Sequence, residues 1–62
     1  MKFKKFDVVE LKNNNKATIL EIKNHEYLAE IVDTKGTTVD TKNINQEDIK
    51  KIIYTRQKKF RL

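Results

Sequence analysis

Sixty-two residues with no cysteine and a single histidine make one small domain that holds together without disulfides or a Cys-based metal site. The formal net charge is +5, which points toward anionic partners, either phosphate or an acidic protein surface. No apolar run exceeds three residues, so neither a signal-peptide core nor a membrane helix is expected, and the lack of cysteine fits a reducing cytoplasm.

Residues 6–12, Phe-Asp-Val-Val-Glu-Leu-Lys, are rich in β-branched and apolar side chains over the length of one strand. Three asparagines, Asn13 to Asn15, then mark a turn, because asparagine tolerates positive φ and bonds to its own backbone. Residues 17–23 read as a second strand in which Ile19 and Ile22 are three apart. Both can face inward only across a β-bulge. Asn24, His25 and Glu26 form a second polar turn. A third strand follows over residues 27–33, with Tyr27, Ala29 and Ile31 on one face and Glu30 on the other. Gly36, the only glycine, lies in Asp-Thr-Lys-Gly-Thr and suits the left-handed position of a hairpin turn. Residues 37–44 form a polar fourth strand with Val39 and Thr41 on a shared face.

Asn45 is a good N-cap, and Glu47 and Asp48 suit a first helical turn. Two continuations compete. One is a short 3-10 or helical turn leading into a fifth strand over residues 51–56. The other is an amphipathic helix from residue 46 to about residue 60, with Ile49, Ile52, Ile53 and Phe60 on one side. The run Ile-Ile-Tyr-Thr favours the strand, which would also cover the open edge of a four-stranded meander.

Taken together, residues 6–11 and 16–22, the segment 27–33 with its Gly36 turn, and Val39 to Ile44 followed by Glu47-Asp48-Ile49 resemble the small bacterial proteins of unknown function that carry an SH3-like barrel. They are similar, more distantly, to the KOW-type barrels of ribosomal and transcription proteins. The resemblance spans residues 6–54. It implies an all-β fold, a small five-stranded SH3-like barrel with a short helical turn before the last strand, and it brings no catalytic residues. There are two departures. Phe6 stands where a glycine is expected before the first Asp, and Ala17 stands where a glycine is expected at the start of the second strand. The second removes a place where a backbone or RNA approaches closely in KOW barrels.

The expected organisation is a basic arm over residues 1–5, the barrel over 6–56 and a basic tail over 57–62. The core is expected to comprise Val9, Leu11, Ile19, Ile22, Ala29, Ile31, Val39, Ile49 and Ile52, joined by Phe6, with Tyr27 and Tyr54 at the rim. Charge is segregated along the chain. Lys2, Lys4 and Lys5 lie in the first six residues. Residues 7–49 hold five lysines against all nine acids, and Lys50, Lys51, Arg56, Lys58, Lys59 and Arg61 close the sequence. In an SH3-like barrel the first and last strands run side by side, so the two basic ends would meet in one patch. The simpler reading of those lysines is that they solubilise the chain.

Catalysis finds no support. Serine and cysteine are absent, so the usual nucleophile–base pairs are missing. His25 falls in a turn, and Glu47 with Asp48 is better explained by the start of a helical turn. The expected protein is a non-enzymatic binding module, without cofactor or metal, and a monomer or weak dimer. It engages RNA or DNA through the nine basic residues named above, with Phe3, Tyr54 or Phe60 available to stack on a base. The alternative is a protein-interaction or accessory module of the phage, plasmid or toxin-associated kind, with no nucleic-acid role. A tail lying on anionic lipid is a third reading and requires the helical C-terminal segment.

Overall fold

A computed structural model describes residues 3–54. Five strands follow one another: β1 (Val8–Leu11), β2 (Lys16–Lys23), β3 (Glu26–Val32), β4 (Thr38–Asn45) and β5 (Ile49–Tyr54). A single 3-10 turn, Gln46–Asp48, separates the last two. Every neighbouring pair is antiparallel, in one sheet of order β4-β3-β2-β1-β5. The described residues contain no α-helix, so the helical continuation from residue 46 is not formed. The fifth strand starts at residue 49, earlier than the sequence pattern suggested.

The turns are set by the residues that tolerate them. Asn14 (φ 77°) and Asn24 (φ 51°) take left-handed backbone, as does Gly36 (φ 90°). Asp33 organises the β3–β4 hairpin. Its Oδ1 accepts from the Lys35 and Thr37 amides at 2.9 and 3.0 Å.

The bulge expected in the second strand is present. Ile19 pairs with Ala29 and Glu21 with Leu28, leaving Leu20 as the extra residue. Ile19 is thereby fully buried, while Ile22 packs, half-buried, against the same core. That core comprises Phe3, Val9, Leu11, Ala17, Ile19, Tyr27, Ala29, Ile31, Ile44 and Ile49.

The link between the edges shapes the sheet. Flat, five strands would hold β4 and β5 about 19 Å apart, yet only Gln46–Asp48 joins them. The sheet therefore curls. The Lys12 amide, just past β1, donates to the Asp48 carbonyl at 3.0 Å. The Asn45 amide donates to Asp48 Oδ2 at 2.9 Å, and the Ile49 amide donates to the Gln46 carbonyl. The sheet is not closed: β4 and β5 remain its two edges.

Five expectations about side chains need correction. Val39 is 53% exposed because it is itself a bulge residue. Ile31 pairs with Asp40 and Val32 with Thr38, so Val39 is left without an opposite partner. Ile52 sits opposite Val9, but on an edge strand with no further strand beyond it, and is 44% exposed. Phe6 is not a core residue either, at 46% exposed. Tyr27 is not at the rim but fully buried. Its face is the one that alternation shares with Ala29 and Ile31, and its hydroxyl finds polar partners, as a buried tyrosine requires. It accepts from the Phe3 amide and donates to Gln46 Oε1, both at 3.4 Å. Phe3, offered as a stacking residue, is buried against Tyr27 in an edge-on ring contact at 5.7 Å.

Candidate nucleic-acid interface

The site begins with the turn that leads into β1. Asp7 is buried and closes that turn on itself. Its Oδ2 accepts from the Lys4 amide at 2.9 Å, and its own amide donates to the Lys4 carbonyl at 3.0 Å. The Asp7 carbonyl accepts from the Ile19 amide at 2.9 Å, and the Phe6 amide donates to the Ile19 carbonyl at 2.6 Å. With Asp7 directed inward and both its neighbours tied to β2, Phe6 is left on the outer side at φ 72°. The left-handed backbone here is one that glycine enters freely, and the chain places a strained aromatic residue in it.

Three strands then line up across the outer face. Val8 pairs with Thr18 on β2 and with Tyr54 on β5. Phe6, Val8, Thr18 and Tyr54 line one shallow depression of about 430 Å³. Tyr54 is 56% exposed, so both aromatic rings present area to solvent.

One cation lies beside this floor, and two more lie farther along β5. Lys5 Nζ lies 5.6 Å from the centroid of the Phe6 ring, within cation–π range. On β5, Lys50 and Lys51 are exposed, with Nζ atoms 3.9 and 3.8 Å from the Glu10 carboxylate. Such surface pairs contribute about 0–1 kcal/mol and leave the ammonium groups accessible. Lys4 is exposed beside Lys5. Lys2, Arg56, Lys58, Lys59 and Arg61, with Phe60, lie outside the described residues. Of the nine basic residues read from the sequence, the fold thus brings Lys5 beside the Phe6 ring and sets Lys50 and Lys51 on the strand that ends at Tyr54. Phe6 was missed as a site residue. The signal that could have found it was its occupation of a glycine position.

Two other depressions mix charges. One is lined by Lys5, Glu21, Ile22 and Lys23. The other, lined by Leu11, Lys12, Asn13, Lys42, Asn43, Ile44 and Asp48, lies where the β1–β2 turn meets β4. Among the described residues no group of three or more His, Cys, Asp or Glu side chains is placed to hold a metal ion, and no helix is long and apolar enough to cross a membrane. His25 is exposed in the β2–β3 turn. The chain matches no protein-family model, no curated protein and no solved structure.

Proposed function

We propose that the curled sheet is a small SH3-like barrel and that it serves as a non-enzymatic binding module for nucleic acid, engaged through the region where β5 runs beside β1. One observation carries this reading. Phe6, which follows Lys4 and Lys5, and Tyr54, which in the sequence precedes Arg56, Lys58, Lys59 and Arg61, line the same depression. Phosphate contacts from lysine supply most of the affinity in such a site and make it salt-dependent. Fluorescence anisotropy with labelled single-stranded RNA, single-stranded DNA and duplex DNA tests it. Micromolar binding at low salt that weakens steeply as salt rises is expected. No binding at low salt, where electrostatic attraction is strongest, overturns it.

A protein-interaction role has one observation in its favour. Ile52 and Ile53 are each 44% exposed on an edge strand, and edge strands pair readily with other chains. A contact of that kind is mainly apolar and survives moderate salt, which separates it from the nucleic-acid mode.

A further inference from the structure

Resting on the nucleic-acid proposal and narrowing it, we infer that the form recognised is an unpaired strand, whose bases stack on Phe6 and Tyr54 while the lysines take its phosphates. Two aromatic residues, each about half exposed and lining one depression with Val8 and Thr18, offer what an unstacked base needs. Every base has a π-face, and stacking tolerates any sequence. A duplex keeps those faces inside its own stack and can use only the cations.

The backbone at Phe6 points the same way. A bulky residue at φ 72° occupies a conformation that glycine enters at no steric cost and that is unfavourable for other residues. The residue is nearly half exposed, so the turn bears this strain with an aromatic side chain accessible to a ligand. Strained residues of this sort gather at ligand clamps. The charges complement the same ligand. Lys5 Nζ lies 5.6 Å from the Phe6 ring centroid, and Lys50 and Lys51 share β5 with Tyr54.

The test uses the full chain and fluorescence anisotropy at about 50 mM salt. The probes are labelled oligo-U and oligo-dT, an abasic strand of equal length, and a duplex. The uridine and thymidine arms distinguish RNA from DNA. Base-bearing single strands should bind at least tenfold more tightly than the abasic strand. Phe6→Ala and Tyr54→Ala should each weaken that binding about fivefold or more, with little change toward the abasic strand. Phe6→Tyr and Tyr54→Phe keep a ring and should retain affinity within about twofold, which guards against a mere folding defect in the alanine variants. Oligo-dT should also quench the tyrosine emission of the wild type, and much less that of Tyr54→Phe.

Backbone strain at Phe6 is tested separately. Phe6→Gly and Phe6→Ala both remove the ring, yet the glycine variant should melt higher, by several degrees. Equal melting temperatures would remove the strain argument. Equal binding of abasic and base-bearing strands, with silent alanine variants, would overturn the stacking inference and leave a phosphate-only site. Failure of every oligonucleotide and of the abasic strand to bind would remove the nucleic-acid proposal itself.

Discussion

The two edge strands of the sheet are built on opposite plans. β4, Thr-Val-Asp-Thr-Lys-Asn-Ile-Asn, is polar along nearly its whole length and buries only Ile44. β5, Ile-Lys-Lys-Ile-Ile-Tyr, likewise buries only its first residue, Ile49, but then exposes Ile52, Ile53 and Tyr54 together with two lysines. Each edge is therefore pinned by one isoleucine close to the 3-10 turn that joins them, and from there they diverge. An edge strand risks pairing with other chains. β4 blunts that risk with polar side chains and with a bulge at Val39. β5 carries two bulges, which leave Lys50 and Ile53 as extra residues opposite β1. These add twist, and its lysines repel a second copy, yet its apolar surface remains. The basic and apolar edge is the one beside Phe6, so the divergence of the two edges is what distinguishes a candidate binding face from a merely solvated one.

The largest test of this comparison is at the two pins. Ile44→Ala and Ile49→Ala should each cost about 2–5 kcal/mol, enough to unfold a domain of marginal stability. Thermal denaturation followed by circular dichroism reads it. Should one variant melt like the wild type, the corresponding edge is held elsewhere.

Next in size is the link. Asp48→Ala removes the carboxylate that accepts from the Asn45 amide and should cost about 1 kcal/mol. Urea denaturation with an unchanged midpoint would show that the turn does not depend on that bond.

Glu10→Gln releases Lys50 and Lys51 from their shared partner. Its effect on stability should stay below about 1 kcal/mol. Its effect on binding should be visible, with tighter association and a salt slope steeper by about 0.7–1.4 if one or two further phosphates are engaged on a single strand. A weaker complex would mean that Glu10 holds these lysines in a binding geometry.

The smallest effects are expected from the exposed apolar residues of the two edges. Val39→Thr and Ile53→Thr should each alter stability by no more than about 0.5 kcal/mol. A loss above about 1 kcal/mol at Val39 would return it to the core.

Much of the fold was readable in the chain because it is encoded locally. Tyr27, Ala29 and Ile31 alternate without interruption and all three are buried. The Ile19–Ile22 spacing announced the bulge at Leu20. Asn14, Asn24 and Gly36 marked the left-handed turns. The edges and the candidate site were less readable. Val39 and Ile52 look like core residues in any alternating pattern, but a bulge displaces one and the lack of an outer neighbour exposes the other. Phe3 and Phe6, three residues apart with similar basic neighbours, exchange the roles that composition suggests. Ala17 and Ile44, both buried, carried no signal strong enough to place them inside.

Residues close together in the chain encode four extended segments, the turns between them and a sequence basic at both ends, and they favour a fifth strand over a helix without deciding between the two. The three-dimensional structure alone decided that the sheet curls so that three residues can join its opposite edges. It also decided that Tyr27 reaches Phe3 and Gln46, and that Phe6 and Tyr54 line one depression. Those outcomes depend on register, on bulges and on which strand has a neighbour on both sides, and no local pattern of side chains records them.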